Sequence, residues 1–178
     1  IQDLMIFVTF LRSGGFISMN KSIIRYVLGH ILIIEGALML LPCLVALFYQ
    51  ERNGIYFLIV AALCEVIGFL MSRKKPKSYL IYTKEGCVTT ALSWILLSIF
   101  GAIPFVLTGE IPSFTDALFE TISGFTTTGA SILSDVESLS HCSIFWRSFT
   151  HWIGGMGVLV FLLAIVPLSG GSNINLMK

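Results

Sequence analysis

A short stretch rich in threonine and glycine is the part of the sequence that could do chemistry. Residues 124–131 read GFTTTGAS and contain poor helix formers between long apolar stretches. If this backbone is extended at membrane depth, its carbonyl oxygens have no helical partners, which is tolerated only inside protein or beside a water-filled cavity. Rings of backbone carbonyls replace the hydration shell of potassium in channel filters. The stretch therefore predicts a cation-binding filter, and a polar external loop is the alternative.

A short helix is predicted directly before this stretch. Pro112 and Ser113 open it, Asp116 lies in its favourable first turn, and it is expected to end at Gly124. About ten residues span roughly 15 Å at 1.5 Å per residue, which is half of a bilayer core. The helix is therefore predicted to be re-entrant, with the partial negative charge of its C-terminus pointing at the filter. Gly129 would let the carbonyls beside it point inward, because glycine tolerates unusual backbone angles.

The rest of the chain supplies long apolar helices around this segment. Of its 178 residues, 56% are hydrophobic and 12% are charged, whereas an ordinary soluble domain carries about 25% charged residues. This composition disfavours soluble enzymes, nucleic-acid-binding domains and disordered proteins. We predict an all-α polytopic membrane protein with four transmembrane helices, one re-entrant pore helix and an extended filter loop. The predicted spans are 23–49, 54–71, 86–108 and 144–168, and residues 1–18 are interpreted as an upstream extension.

The charged residues predict how these spans are oriented. Basic residues, which favour the cytoplasmic side, flank the start of the first span and lie between the second and third, namely Lys21, Arg25, Arg73, Lys74, Lys75, Lys77 and Lys84. The segment 108–145 contains no Lys or Arg and is expected to face outside. Its acids either concentrate cations or serve local structure, and they are Asp116, Glu120, Asp135 and Glu137. Both termini are therefore predicted to be cytoplasmic.

Two motifs in the second half of the chain are specific to a known family. DALFETISGFTTTGAS at 116–131 and FWRSFTHWIGGMGVLVFLLAIVP at 145–167 resemble the Trk/Ktr/HKT superfamily of potassium transporters, in particular the Trk-type membrane subunit of bacteria. The resemblance implies an initial helix pair at 19–78 and a first repeat of helix, pore loop and helix at 79–178. It also implies potassium uptake across the cell inner membrane, with potassium as the substrate and no cofactor.

The resemblance implies which residues bind the ion. Gly129 matches the single characteristic glycine of each repeat in the family. Thr127 and Thr128 would then supply the principal carbonyls for potassium, with Thr126 and Ala130 flanking them. This pattern differs from the T-V-G-Y-G filter of ordinary potassium channels.

The resemblance also implies partners. A family pore has four pore loops around one axis, and this sequence contains one. The chain is therefore expected to be part of a longer protein with three further repeats; four like subunits or a truncated, non-conducting product are the alternatives. Family pores work with a cytoplasmic nucleotide-binding regulatory subunit, and the full-length protein is expected to be a homodimer. Anionic lipid is the simpler partner for the basic loop 73–77.

Several polar residues have both structural and functional interpretations. Arg147 is expected to pair with Glu120 or Glu137 and to act as a structural clamp behind the filter, which Glu120 and Gly124 also support. Glu35 and Glu65 lie inside predicted spans, where carboxylates are costly, but in the initial helix pair, which the family places away from the pore. A structural role is therefore favoured for both.

Catalytic and metal-binding interpretations have little support. No predicted span contains Asp, and the three His residues are scattered, so the paired groups that an intramembrane hydrolase needs are lacking and no enzyme activity is predicted. The four cysteines lack C-x-x-C spacing and are interpreted as small buried thiols. The motif GGMG at 154–157 has no preceding strand, so it predicts close helix packing rather than nucleotide binding.

Overall fold

Two antiparallel helices, the first of them interrupted, form the first half of the structure. The computed structural model describes residues 20–76 and 83–169, with the backbone alone for 83–84 and 158–169. Helix α1 covers Lys21–Leu38 and α2 covers Leu40–Phe48. Pro42 explains the interruption, because its ring displaces the carbonyl four residues back, which belongs to the last residue of α1. Helix α3, Gly54–Ser72, returns along them after a tight turn.

Three further helices form the second half. Helix α4 covers Thr83–Leu107, the short helix α5 covers Phe114–Phe125, and α6 covers His141–Ser169. The described residues contain no strand, which confirms the all-α fold class. Helix α5 packs between α4 and α6, while α4 also packs on α1 and α3. The short helix α5 is therefore held between two longer helices, α4 and α6.

One apolar core joins the two halves. It contains buried residues from all six helices, including Leu32, Ala46, Phe57, Phe105, Phe125 and Trp146. Many large apolar side chains point away from it, such as Leu58, Val66, Phe69 and Leu70 on α3. Exposed apolar surface of this extent is what a bilayer covers and water does not.

Three helical stretches of the described part are long and apolar enough to cross a membrane. They are Lys21–Phe48, Gly54–Ser72 and Glu85–Leu107, and they coincide with the first three predicted spans. The fourth predicted span falls on the 29-residue α6, whose side chains are described only as far as Gly157, so the count of four stays a prediction. The predicted extension at 1–18, Lys77 of the basic loop and the tail after Ser169 lie outside the described residues.

The two ends of the bundle carry opposite kinds of residues. At one end, the Arg25 guanidinium donates to the carbonyl of Lys74 at 3.4 Å and the Asn20 amide donates to Glu85 at 3.4 Å. At the other end, Glu110 accepts from the Ser140 amide at 2.7 Å. Arg25 and the start of the basic loop therefore lie at one end of the bundle and Glu110 at the other, while the orientation in the membrane stays a prediction.

The cysteines differ in burial. All four are free; Cys64 and Cys142 are buried, Cys43 is half-buried and Cys87 is exposed. The prediction of buried thiols is therefore wrong for Cys87, which lies on the outward face of α4 near its start, where neither α1 nor α3 covers it.

Candidate functional site

The short helix α5 directs its C-terminus at the threonine-rich loop. The Ser113 hydroxyl caps its N-terminus by accepting from the Asp116 amide at 3.4 Å, as the capping-box pattern predicts. The helix has 12 residues, or about 18 Å at 1.5 Å per residue. It ends at Phe125, one residue later than predicted, because Gly124 continues the helix where α6 packs against it. The half-bilayer length that suggested a re-entrant helix is present.

A tight turn follows the helix before the chain reaches Gly129. Thr126 has φ −84° and ψ 0°, and Thr127 has φ +57°. The amides of Thr127 and Thr128 donate to the carbonyls of Gly124 and Ser123 at 2.9 Å each. These bonds satisfy carbonyls that a helix end leaves without partners. The predicted extended loop therefore begins with a turn, and the left-handed Thr127 has no signal in the sequence, because threonine disfavours that conformation.

The carbonyl oxygens of this loop fall into two groups. The Thr126 carbonyl accepts from the Thr127 hydroxyl at 2.7 Å, and the Ala130 carbonyl accepts from the Ser123 hydroxyl at 2.6 Å. No described residue donates to the carbonyls of Thr127, Thr128 or Gly129, and all five loop residues are exposed. The arrangement leaves the three central carbonyls available to a cation, whereas the two flanking carbonyls are already occupied.

Gly129 adopts a conformation that glycine favours. Its φ is +76°, and a Cβ added to it would meet no atom within 4 Å. Backbone angles, and not lack of space, are therefore the reason for glycine at this position. The positive φ is an unusual backbone angle of the kind predicted for Gly129, and the inward direction of the neighbouring carbonyls stays a prediction.

A buried carboxylate ties the loop to the helices on both sides. Glu120 on α5 is 1% exposed and accepts from the Ser131 hydroxyl and, at 2.6 Å, from the Ile132 amide. Its other oxygen accepts from Nε of Arg147 on α6 at 3.0 Å. Of the two partners expected for Arg147, the structure selects Glu120. Because Glu120 is buried, it cannot be one of the surface acids that concentrate cations, and its role is local.

Close packing against α6 fixes the end of the short helix. A Cβ on Gly124 would collide with the Thr150 hydroxyl, and a Cβ on Gly154 would collide with the Phe125 carbonyl. A Cβ on Gly155, by contrast, would have only the Thr127 methyl nearby, at 4.0 Å. Two glycines therefore allow the contact that holds the pore-facing end of α5 against α6, as the GGMG motif predicts.

Two hydroxyl side chains were not among the predicted site residues. The Ser123 hydroxyl donates to the Ala130 carbonyl, and the Ser131 hydroxyl donates to the Glu120 carboxylate. Small hydroxyl residues on both sides of the TTTGA segment were the available signal, but their partners lie seven and eleven residues away. Which residues pair across such a separation in sequence depends on how the loop folds back.

A second carboxylate, Glu51 in the turn between α2 and α3, was also not predicted from the sequence. Glu51 accepts from the amides of His141 and Cys142 at 2.9 and 3.1 Å, and from the His141 ring at 2.7 Å. Burial alone would raise the pKa of Glu51, but these donors outweigh it and hold the pKa below its ordinary value. Glu51 therefore caps the N-terminus of α6, the helix that carries Arg147.

Glu35 of the initial helix pair lies close to the helices of the second half. Its Oε1 is 3.5 Å from the position that a Cβ on Gly101 would take, and the expectation that this helix pair is remote from the pore stays a prediction. The same position is 2.9 Å from the Thr121 methyl and 3.2 Å from the Phe125 ring. Glu35 therefore lies beside the back of α5, because Gly101 puts no side chain between them.

The described residues offer a cation no cluster of charged ligands. Among them, no group of three or more His, Cys, Asp or Glu side chains could hold a metal ion. Asp135 and Glu137 are exposed in the loop after the filter. Any ion held by this site would be bound through the backbone oxygens of the loop.

Comparison with known proteins agrees with this arrangement. The family model TrkH, described as a cation transport protein, matches residues 49–178. A cation transporter of Methanocaldococcus jannaschii is 38% identical over 148 residues, covering 83% of this chain and 31% of that protein. The Trk system potassium uptake protein TrkH of Escherichia coli is 35% identical over 164 residues, covering 90% and 34%.

A solved structure has the same fold. The crystal structure of the potassium transporter TrkH from Vibrio parahaemolyticus superposes with a TM-score of 0.78 at 32% identity, covering 84% of this chain and 32% of that one. The chain thus spans about a third of the length of the relatives it matches. Because the family model covers most of the sequence, the chain belongs to the TrkH family of cation transport proteins.

Proposed function

We propose that this chain supplies one pore loop of a protein that takes potassium up across the membrane. The carbonyls of Thr127, Thr128 and Gly129 bind the dehydrated ion, and Thr126 and Ala130 flank it. The observation that carries the proposal is the set of three consecutive loop carbonyls without a donor in the described structure. Carbonyl oxygens in this position substitute for the water that the ion sheds.

Two further features support a cation at this place. The C-terminus of α5 points at the loop and carries a partial negative charge. Arg147 is neutralised by Glu120, which also bonds to the residues just after the loop, so its charge does not repel an ion. The names of two relatives, both Trk system potassium uptake proteins from Escherichia coli, support potassium as the substrate.

One loop cannot surround an ion, so the rest of the pore must come from elsewhere. Three carbonyls on one side leave most of a hydration shell unreplaced. The remaining loops belong to three further repeats of a longer protein, which the one-third coverage of the relatives supports. In this proposal Arg147, Glu120 and Gly124 keep the loop in shape and do not touch the ion.

The remaining assignments follow from the family. We propose that the protein is a transporter and not an enzyme, that it requires no cofactor, and that it lies in the cell inner membrane with both ends of this chain in the cytoplasm. A cytoplasmic nucleotide-binding subunit regulates it, and the full-length protein is a homodimer.

Substitution of Gly129 by serine in the full-length protein tests the filter. Gly129→Ser forces an L residue into a left-handed angle, so the backbone shifts and the carbonyls before it lose their alignment. Gly109 provides a matched control, because its φ is also +76° and a Cβ there also meets nothing within 4 Å. Selectivity is measured as uptake of potassium against sodium in liposomes or in a strain deficient in potassium uptake.

We expect Gly129→Ser to lower the preference for potassium about tenfold, or about 1.4 kcal/mol, while Gly109→Ser lowers stability similarly and leaves ion preference intact. Equal ion preference in both variants, with both proteins in the membrane, contradicts the proposed filter.

A further inference from the structure

Glu35 is a buried carboxyl in the first span that has no polar partner. Its side chain is 1% exposed, and neither carboxyl oxygen has a hydrogen-bond partner among the described residues. It is the fifteenth of the 28 residues of the candidate span Lys21–Phe48, so it lies far from both ends. An unpaired carboxylate in apolar surroundings is strongly disfavoured, and such a group takes up a proton instead.

The titratable groups that face this position are on α3, and none is basic. Cys64 Cβ and Glu65 Cγ lie 3.2 and 3.3 Å from the place that a Cβ on Gly36, the neighbour of Glu35, would occupy. No ion pair in the described part of the chain involves Glu35. A second carboxyl nearby further disfavours the charged form, because like charges repel.

On the other side of Glu35, four helices meet at Gly101 of α4. The Glu35 carboxyl faces it from α1, Thr121 and Phe125 contact it from α5, and the Trp146 indole of α6 donates to its carbonyl at 3.0 Å. Apart from Glu35, the groups that face Gly101 carry no charge: a threonine, a phenylalanine ring and an indole. Glu35 and the two side chains of α5 thus surround the same glycine, so a group admitted beside Gly101 would also lie against the pore helix.

We infer that Glu35 is a proton-binding site, and that the packing of α5 seen here is the packing of its neutral form. When the proton leaves to water, the remaining carboxylate needs water or a cation beside Gly101. The helices that meet there must separate to admit it, and α5 carries the filter loop at its end. The ligand of this site is the proton, and the pore helix is the element that its release displaces.

Infrared spectroscopy of the full-length protein tests the bound proton without reference to transport. A protonated carboxyl has a carbonyl stretch distinct from the bands of a carboxylate, so the spectrum of wild type minus Glu35→Gln isolates this group. We expect this band at neutral pH in wild type and its loss in Glu35→Gln, with Glu65→Gln as the matched control that retains it. No difference between wild type and Glu35→Gln overturns the inference.

Chemical labelling of the wild-type protein keeps the inference testable if Glu35→Gln does not fold. Dicyclohexylcarbodiimide adds to protonated carboxyl groups in apolar surroundings, and peptide mass spectrometry locates the adduct. We expect an adduct on Glu35 whose yield falls about tenfold per pH unit above its titration midpoint. Recovery of the Glu35 peptide unmodified at every pH at which the protein is folded overturns the inference.

The link to the pore helix rests on the proposed function, and a flux measurement separates the two. In liposomes, potassium flux through the wild type is expected to vary several-fold with pH, with the variation lost in Glu35→Gln and kept in Glu65→Gln. If no protein moves potassium, the proposed function fails and the infrared result for Glu35 stands. If wild type and Glu35→Gln show the same pH dependence, the link to the pore helix is overturned.

Discussion

Two buried glutamates in this molecule have the same exposure and opposite surroundings. Glu120 and Glu35 are each 1% exposed. Glu120 accepts three hydrogen bonds, one of them from Arg147, whereas neither oxygen of Glu35 has a partner in the described structure. A buried charge requires partners. The surroundings of Glu120 therefore suit a carboxylate, and those of Glu35 suit a neutral acid.

The difference between them shows what burial alone does not decide. The partners of Glu120 come from the loop it stabilises and from the next helix, so one side chain joins α5, the segment after the filter and α6. Glu35 is surrounded by glycine, aromatic and aliphatic groups and by the side chains of α3. Glu120 belongs to α5 and Glu35 lies across Gly101 from it, but only Glu120 bonds to the segment after residue 130.

The largest effect is expected when the pair of Glu120 and Arg147 is broken. Glu120→Gln leaves the largely buried Arg147 guanidinium without a counter-charge, which typically costs about 3–5 kcal/mol. We expect a loss of stability of that order, measured as reversible unfolding of the full-length protein in mixed micelles, together with loss of potassium uptake. Glu137→Gln is the control, because Glu137 is exposed and its substitution should cost less than about 0.5 kcal/mol.

A double-mutant cycle sharpens this prediction. Adding Arg147→Met to Glu120→Gln removes the unpaired cation, so the double variant should be more stable than the sum of the two single losses predicts. Strict additivity would contradict the pairing of these two side chains.

An intermediate effect is expected at Glu51, which is partly exposed and well supplied with donors. Glu51→Gln weakens the cap of α6 and should cost about 1 kcal/mol. Because the pKa of Glu51 is held below its ordinary value of 4.5, its ionised form stabilises the fold above that value, and this stability is lost as the pH falls through the lowered pKa.

The change of stability with pH tests this role of Glu51. The difference in unfolding free energy between wild type and Glu51→Gln should shrink below about pH 4.5, where the carboxylate takes up a proton. A difference that persists undiminished below that pH would contradict the assignment of Glu51 as a charged cap.

The smallest effect on stability is expected at Glu35. Glu35→Gln replaces a neutral acid with a neutral amide of nearly the same shape, so the free energy of unfolding should change by less than about 1 kcal/mol. The same unfolding assay as for Glu120 measures it. A loss as large as that of Glu120→Gln would mean that Glu35 is charged and paired in the folded protein, and the contrast between the two glutamates would fail.

Much of the site could be predicted from local sequence. Ser113 with Asp116 gives the start of the short helix α5, Gly124 gives its end within one residue, and Gly129 gives a left-handed position. Each of these features depends on residues close together in the chain, where capping and backbone preference act. The charge partner of Arg147 could be narrowed to two acids but not chosen, because helix packing decides which one it reaches.

Contacts between distant segments could not be predicted in this way. The cap of Glu51 on α6 joins residues 90 and 91 positions apart. The left-handed Thr127 and the bond from Ser123 to Ala130 depend on how the loop folds over the helix end. The position of Glu35 beside the pore helix depends on the crossing of α1, α4 and α5 at Gly101. In each case the deciding energy is packing or desolvation, which a pattern of residue types does not encode.

The sequence by itself determined that this chain belongs in lipid, where a half-length helix precedes a glycine-containing polar loop. Apolar length and local backbone preference suffice for those conclusions. Only the tertiary structure decided which carbonyls remain free for an ion, which acid holds Arg147 and which glutamate is left without a partner. The reason is that a polar group in an apolar interior is stabilised only by the groups that folding brings to it, and those come from helices far apart in the chain.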